Sequence, residues 1–319
     1  QIDEYTIKIF LTEEVPFFEY KMCFPILASH SYEDGTLNSK SIIPVGTGKY
    51  KIDSIEEKSI SLISNENEKT KLRKINIILK DKVKDLYNAL TKEEIDYMVT
   101  DNIEYADYVG TMGYNVKQAH NREYEYLALN NENKILSDKK IREVINCAID
   151  KKAINYNVYN NKHMISNFPL DYGSYLYKQE EKTTYDINKA KKILRENGWK
   201  YVKNYWVKNN NKLEFKLIVN ENKEKRVLLA EEIKRQLQEI GIIINIVKVN
   251  DNIYNNYIKN KKYDIILAGN IVSNCPDLRS YFGENNLSNF KEEELSILLK
   301  DISNINDEKI LKEKYSRII

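Results

Sequence analysis

An α/β fold shared between two lobes is expected for this chain, on three observations. Residues 213–219 (LEFKLIV) and 242–249 (IIINIVKV) are rich in branched side chains and read as strands largely buried in a sheet. Between them Ala230, Ile233, Leu237 and Ile240 recur at helical spacing. Strand, helix, strand is a βαβ unit with a right-handed crossover expected. Residues 262–269 (KYDIILAG) add a further strand, and 319 residues with 42% hydrophobic content favour two lobes over one.

From the N-terminus, residues 5–11 (YTIKIFL) alternate as a strand does, and Pro16 opens an apolar stretch running through Ile26 and Leu27. Residues 44–50 (PVGTGKY) flank Thr47 with two glycines, which suits a sharp bend into a strand at 50–55. A phosphate cradle is the alternative reading of those glycines, but neither a P-loop Lys-Ser/Thr nor a strand-Gly-helix pattern follows. Val83, Leu86, Tyr87 and Leu90 mark an amphipathic helix ahead of the loop 100–104. Ile141, Val144, Ile145, Ala148 and Ile149 make the clearest helical stripe, with Ser137 as candidate N-cap and Leu136 and Ile141 at the staple positions. A second helix starts at the cap Asp186 and ends at Gly198, where a left-handed glycine lets Trp199 fold back on Leu194. The helix carrying Ala230 stops at Gly241, and a last helix with Leu295, Leu298 and Leu299 runs into a charged segment without an evident closing strand.

Composition removes several function classes. Lys+Arg of 50 against Asp+Glu of 48 leaves a net charge of +2, so no large field favours nucleic acid or an anionic membrane. No apolar run approaches the roughly 18 residues that span a bilayer, and residues 1–4 resemble no signal peptide, so any export signal is expected outside this chain. Cys23, Cys147 and Cys275 show no CxxC spacing, and Cys147 reads as a small core residue. His30, His120 and His163 stand far apart with no HExxH pattern, and nothing pairs Cys275 with His163 as nucleophile and base. Neither metal, cofactor nor catalytic residue is expected.

Five segments in fixed order carry a resemblance: 44–50, 136–150 (LSDKKIREVINCAID), 185–199 (YDINKAKKILRENGW), 229–241 (LAEEIKRQLQEIG) and 262–269. Together the chain resembles the family 5 extracellular solute-binding proteins, the oligopeptide- and dipeptide-binding receptors of bacterial ABC importers. The resemblance implies an α/β, two-lobe periplasmic-binding-protein-like fold of class II, incomplete here because family members extend beyond both ends. Residues 1–128 are then expected in a first lobe, 129–133 as a hinge crossover and 134–319 as most of the other lobe. The family usually has a glycine where Glu94 stands, so the turn there needs another conformation. As a fragment the chain is expected to bind solute weakly or not at all.

In open α/β folds ligands gather beyond the carboxyl ends of the strands, which selects Asn270, Ile271, Val272, Ser273 and Asn274 after the strand at 262–269. Gly269 permits close backbone approach. Thr100, Asp101 and Asn102 are the candidates on the first lobe, and Lys225 lies near a loop that contacts ligand in the family, though a solvated role is the plainer one. Peptide-binding members carry a Gly-Trp-x-x-Asp-Tyr-x-x-Pro segment whose aspartate holds the ligand's amino terminus. Here Asn270 stands at the tryptophan and Ser273 at the aspartate, while aligning Pro276 requires a one-residue deletion. A serine cannot form the charge-assisted pair of a carboxylate with an ammonium, and Asp277 could replace it only from a shifted backbone. An ordinary polar loop is the bland reading of 270–274.

The resemblance implies a monomeric receptor at the extracellular face of the cytoplasmic membrane, lipid-anchored, passing a peptide or small polar solute to permease subunits. A sensory or regulatory domain of the same fold is one alternative, and a receptor for a non-peptide solute such as a metal chelate is another.

Overall fold

Two units divide the chain: Met22–Ala119, and a larger one made of Gln1–Lys21 with His120–Ile319. The computed structural model describes all residues except 1, 13, 14, 16, 25, 27–42, 67, 177–184, 304, 306 and 319. Pro16, Leu27 and His30 therefore lie outside the described residues.

Residues 5–11 form no strand. They have no ladder partner among the described residues, and Tyr5, Ile7 and Phe10 are exposed, so alternation alone does not hold them extended in a sheet. A helical turn, α1 (Phe18–Lys21), follows. In the smaller unit the bend at 47–49 leads into β1 (Tyr50–Ile55), which pairs antiparallel with β2 (Ser59–Ser64), and β2 with β3 (Lys74–Ile78). Helix α2 (Val83–Thr91) buries Ala89 and Leu90, and the chain then reverses through Glu93 at φ 58. A left-handed non-glycine residue next to Glu94 thus makes the turn for which the family uses glycine. Helix α3 (Ile103–Thr111) stacks Tyr105 on Tyr87 with ring centroids 3.9 Å apart.

The larger unit is built on a sheet of β4 (Glu123–Leu129), β8 (Glu214–Asn220), β9 (Ile243–Val249) and β10 (Ile265–Ile271) in the order β4-β10-β8-β9. β8 is parallel to β9 and to β10, so the expected βαβ unit is present, while β4 runs antiparallel to β10 from Leu129↔Ile265 to Glu123↔Ile271. The start of β4 therefore lies at the carboxyl end of the parallel strands. It also places 123–128, expected in the first lobe, in the sheet of this unit. The crossover expected at 129–133 is tied to the same unit: Asn130 Nδ2 donates to the Tyr263 carbonyl at 2.8 Å, Asn131 Nδ2 to Ser288 O at 2.8 Å and Asn133 Nδ2 to Asp264 Oδ1 at 2.7 Å.

Helices cover both faces. On one, α4 (Lys139–Ala148), α5 (Lys151–Tyr159), α6 (Ile187–Glu196) and α7 (Glu224–Glu239) enclose Leu217, Val219, Ile244, Ile265 and Leu267. The α4 cap is Asp138, which accepts from Lys140 N at 2.8 Å; Ser137, one residue earlier, instead donates to Lys134 O. Asp186 caps α6 as expected, and Gly198 at φ 80 lets Trp199 N reach Leu194 O at 2.9 Å. A small sheet of β5 (Lys200–Val202), β6 (Tyr205–Lys208) and β7 (Asn211–Lys212) follows, turning through pairs of positive-φ residues, Lys203–Asn204 and Asn209–Asn210, as tight hairpins require. On the opposite face α8 (Asp251–Asn260) packs Tyr254 against Ile218, Ile266 and Ala128. A separate cluster joins Cys275 and Leu278 to α10 (Glu293–Ile302) and α11 (Glu308–Ile318), with α9 (Arg279–Phe282) at its edge. The charged segment after Leu299 thus carries a further helix, α11, with Leu311 and Tyr315 on its buried side.

Candidate functional site

β10 ends at Ile271 and the chain leaves the sheet through residues 272–277. Val272 and Cys275 are buried and pin this segment, while Asn270, Ile271, Ser273 and Asn274 are exposed. The Val272 N–H donates to Arg122 O at 2.8 Å, extending the β4 pairing past the strand, and the Arg122 guanidinium donates to Asn274 Oδ1. Ser273 Oγ accepts the Cys275 N–H at 3.1 Å, so its hydroxyl shapes the turn. Asn270 Oδ1 accepts from Tyr281 OH at 3.0 Å beside a cluster in which Tyr124, Tyr126 and Tyr281 lie with ring centroids 5.6–6.0 Å apart. Burial, with Tyr281 and Tyr254 nearby, pushes the Tyr126 hydroxyl up to about 12, so it stays a neutral donor at any ordinary pH.

Around the edge, on the opposite sheet face, stands a group that no linear pattern displays. Glu125 faces Gly269 across the β4 and β10 ladder. Its Oε1 accepts Arg226 Nε–H at 2.8 Å, and its Oε2 accepts the Tyr159 hydroxyl. Both ion-pair partners are mostly buried, with 19% and 24% of their side chains exposed. The Tyr159 ring packs on His163 at 4.0 Å; burial holds that imidazole below its usual value, against the opposing pull of Glu125 and Glu123. The same burial, with the Glu125 charge and hydrogen bond, drives the Tyr159 hydroxyl far above its ordinary value. A Cβ built on Gly269 would overlap the Arg226 guanidinium. The close approach that Gly269 permits is thus taken by a side chain of the protein itself.

In the smaller unit, Thr100 Oγ1 lies 3.0 Å from Tyr87 OH and accepts the Asn102 N–H at 3.0 Å, while Asn102 Oδ1 caps α3 by accepting from Tyr105 N at 2.9 Å. Asp101 is exposed between them. Among the described residues no three His, Cys, Asp or Glu side chains are grouped to hold a metal, and no helix is long and apolar enough to cross a membrane.

The model of bacterial extracellular solute-binding proteins, family 5 (middle) matches residues 1–290. This chain belongs to that family. Among the family 5 chain's relatives, the oligopeptide-binding protein AppA of Bacillus subtilis is 27% identical over 208 residues, 61% of this chain and 38% of that protein. Heme-binding protein A of Haemophilus influenzae is 26% identical over 225 residues, 65% of this chain and 41% of that protein. The family 5 chain thus spans about two-fifths of the curated relatives it matches. Its fold is the periplasmic-binding-protein α/β type: an ABC transporter substrate-binding protein of Sinorhizobium meliloti superposes with a TM-score of 0.78 at 19% identity, covering 96% of this chain and 67% of that one.

Sequence reasoning on this family 5 chain selected the loop after β10 and missed Glu125, Arg226 and Tyr159. The available signals were Gly269 and Lys225, each one step from the group: Gly269 marks the close approach, and Lys225 adjoins the residue that makes it.

Proposed function

We propose that this chain is the ligand-binding part of a solute-binding receptor for an ABC importer, receiving its solute beyond the carboxyl ends of β8, β9 and β10. The observation that carries the reading is the segment 270–274, exposed at that end of a family 5 sheet and pinned by buried Val272 and Cys275. Asn270, Ile271 and Asn274 offer amide groups and an apolar side chain to a neutral polar ligand. Recognition by hydrogen bonds and water needs no covalent step. In the same reading the receptor works as a lipid-anchored monomer outside the cytoplasmic membrane with permease subunits as partners.

A non-peptide solute is the second reading, favoured by Ser273 at the place of the ammonium-binding aspartate. One experiment addresses both. The receptor as encoded in its host is purified without added ligand, denatured, and the released material identified by mass spectrometry. Peptides support the first reading and a non-peptide solute the second. If no solute is released and deleting the gene leaves uptake of peptides and small polar solutes unchanged, the receptor reading fails.

A further inference from the structure

The near-neutral total of the chain conceals a local excess of positive charge. From the start of α6 to the end of β7, residues 187–212 carry eight Lys or Arg against the single acid Glu196, an excess of seven, whereas the remainder of the chain holds five more acids than bases. The β5-β6-β7 sheet gathers part of that charge around an apolar centre. Its ladders set Lys200 opposite Val207, Val202 opposite Tyr205 and Val207 opposite Lys212, so these side chains share one face. The other face carries Tyr201 and Trp206, with Trp206 buried against the end of α7. On the outer face Val202 is 44% exposed, Tyr205 and Val207 are half-buried, and the Lys212 ammonium stands 4.7 Å over the Tyr205 ring. Lys203 and Asn204 make the exposed tip between β5 and β6. Neither Lys200 nor Lys203 has an ion-pair partner among the described residues.

We propose that the outer face of this small sheet docks on the surface of an anionic phospholipid bilayer, with Val202, Tyr205 and Val207 at the headgroup boundary and Lys200, Lys203 and Lys212 on lipid phosphates. The proposal rests on the receptor reading above, which places the chain beside a membrane. An apolar centre that includes an aromatic ring and is rimmed by lysines matches such an interface: the ring and the valines sit at headgroup level while the lysine stems lie along them and carry their ammonium groups to the phosphates. An acidic protein surface would meet the lysines, but a positive excess that continues from the hairpins along α6 fits an extended anionic plane better than one complementary patch. The location agrees. α7 starts just past the carboxyl end of β8 and ends beside Trp206, about 24 Å away at the helical rise, so the small sheet stands at the amino ends of the parallel strands, far from the loop 270–274. A receptor resting on the bilayer through this face keeps that loop open to solute.

The test is vesicle cosedimentation of the complete receptor polypeptide made without lipid modification, using phosphatidylcholine vesicles with and without phosphatidylglycerol at low and high salt. Three lysines at about fivefold each predict binding to the phosphatidylglycerol vesicles roughly a hundredfold tighter than to neutral ones, weakening as salt rises. The triple variant Lys200→Gln, Lys203→Gln, Lys212→Gln should fall to the level of neutral vesicles. Lys152→Gln, Lys259→Gln, Lys291→Gln, which removes the same charge from exposed positions elsewhere on the unit, should stay within about threefold of the parent. Val202→Asp should weaken binding with every lysine in place, and melting curves show that each variant is folded. Equal binding to the two kinds of vesicle overturns the proposal, as does phosphatidylglycerol binding that the first triple variant retains or that both triple variants lose alike. Salt-dependent binding to detergent-solubilised permease subunits without vesicle binding overturns it in favour of an acidic protein surface. The solute released on denaturation is the same under each of these outcomes, so the receptor reading stands or falls separately.

Discussion

The Asp277 carboxylate folds back on Arg279, accepting its backbone N–H at 3.0 Å and its Nε–H at 2.8 Å. Burial alone would raise this carboxyl, but the Arg279 hydrogen bonds and charge outweigh it and hold it below the ordinary 3.8. The acid that could have replaced a missing ammonium anchor is therefore committed within its own turn.

That pairing predicts indifference to the ligand's amino terminus. Free and N-acetylated versions of one peptide should bind the complete receptor within about threefold, whereas a charge-assisted anchor would separate them by one to two decades. Paired titrations measure the ratio. A strong preference for the unblocked peptide would show that another carboxylate faces the ligand.

Acid sensitivity should localise to Glu232. It accepts Arg235 Nε and Nη2 at 2.8 and 2.7 Å, Gln236 Nε2 at 2.8 Å and Asn157 Nδ2 at 3.2 Å, and these partners, Arg235 first, hold the carboxyl at about 2 against an ordinary 4.5. A folded value below the unfolded one contributes stability that is fully present above pH 4.5 and is lost as pH falls through about 2. Because Arg235 is half exposed, the contribution is discounted to about 1 kcal/mol. Glu232→Gln should melt a few degrees lower at pH 7, with the difference closing by pH 2, in thermal scans across that range.

Two helix-ending glycines should differ in their tolerance of alanine. Gly198 at φ 80 has only Lys208 Cε within 4 Å of a built Cβ, at 3.7 Å, so Gly198→Ala should cost about 1 kcal/mol of backbone strain. At Gly241, φ 90, the same Cβ would stand 2.5 Å from Tyr201 Cε2 and 3.1 Å from Asn204 O, and Gly241→Ala should cost about 2–3 kcal/mol. Urea unfolding of the two variants gives the order.

Trp206 donates its indole N–H to Ile240 O at 2.7 Å inside the core, fastening β6 to the end of α7. Trp206→Phe leaves that carbonyl buried without its donor and should destabilise by about 1–3 kcal/mol. A midpoint in urea unchanged from the parent would contradict the account.

Elements whose stabilising contacts repeat locally were legible in the chain. The stripe from Ile141 to Ala148 and the branched run ending at Val249 appear as a helix and a strand because the helix buries one face at every turn, while the strand packs branched side chains on both faces of the sheet, Ile244 on one and Val249 on the other. Boundaries were less so: Ser137 and Asp138 both carry a capping oxygen, and only backbone geometry selects Asp138. Residues 5–11 show that alternation is not sufficient, since a strand needs another chain segment to take its hydrogen bonds. Helix α11 was obscured because its buried Leu311 and Tyr315 are set among charged residues.

The candidate site divides in the same way. Periodicity and the order of elements locate the loop 270–274, because it follows directly from a recognisable strand. The group of Glu125, Tyr159, Arg226 and Gly269 has no linear signature, as its members come from two strands and two helices. It exists because β4 pairs with β10 in one register and α7 lays its first turn over that pair, so that a carboxylate and a guanidinium 101 residues apart share one partly buried pocket of low dielectric. Local sequence codes for what each segment can become; long-range packing alone decides which charges meet.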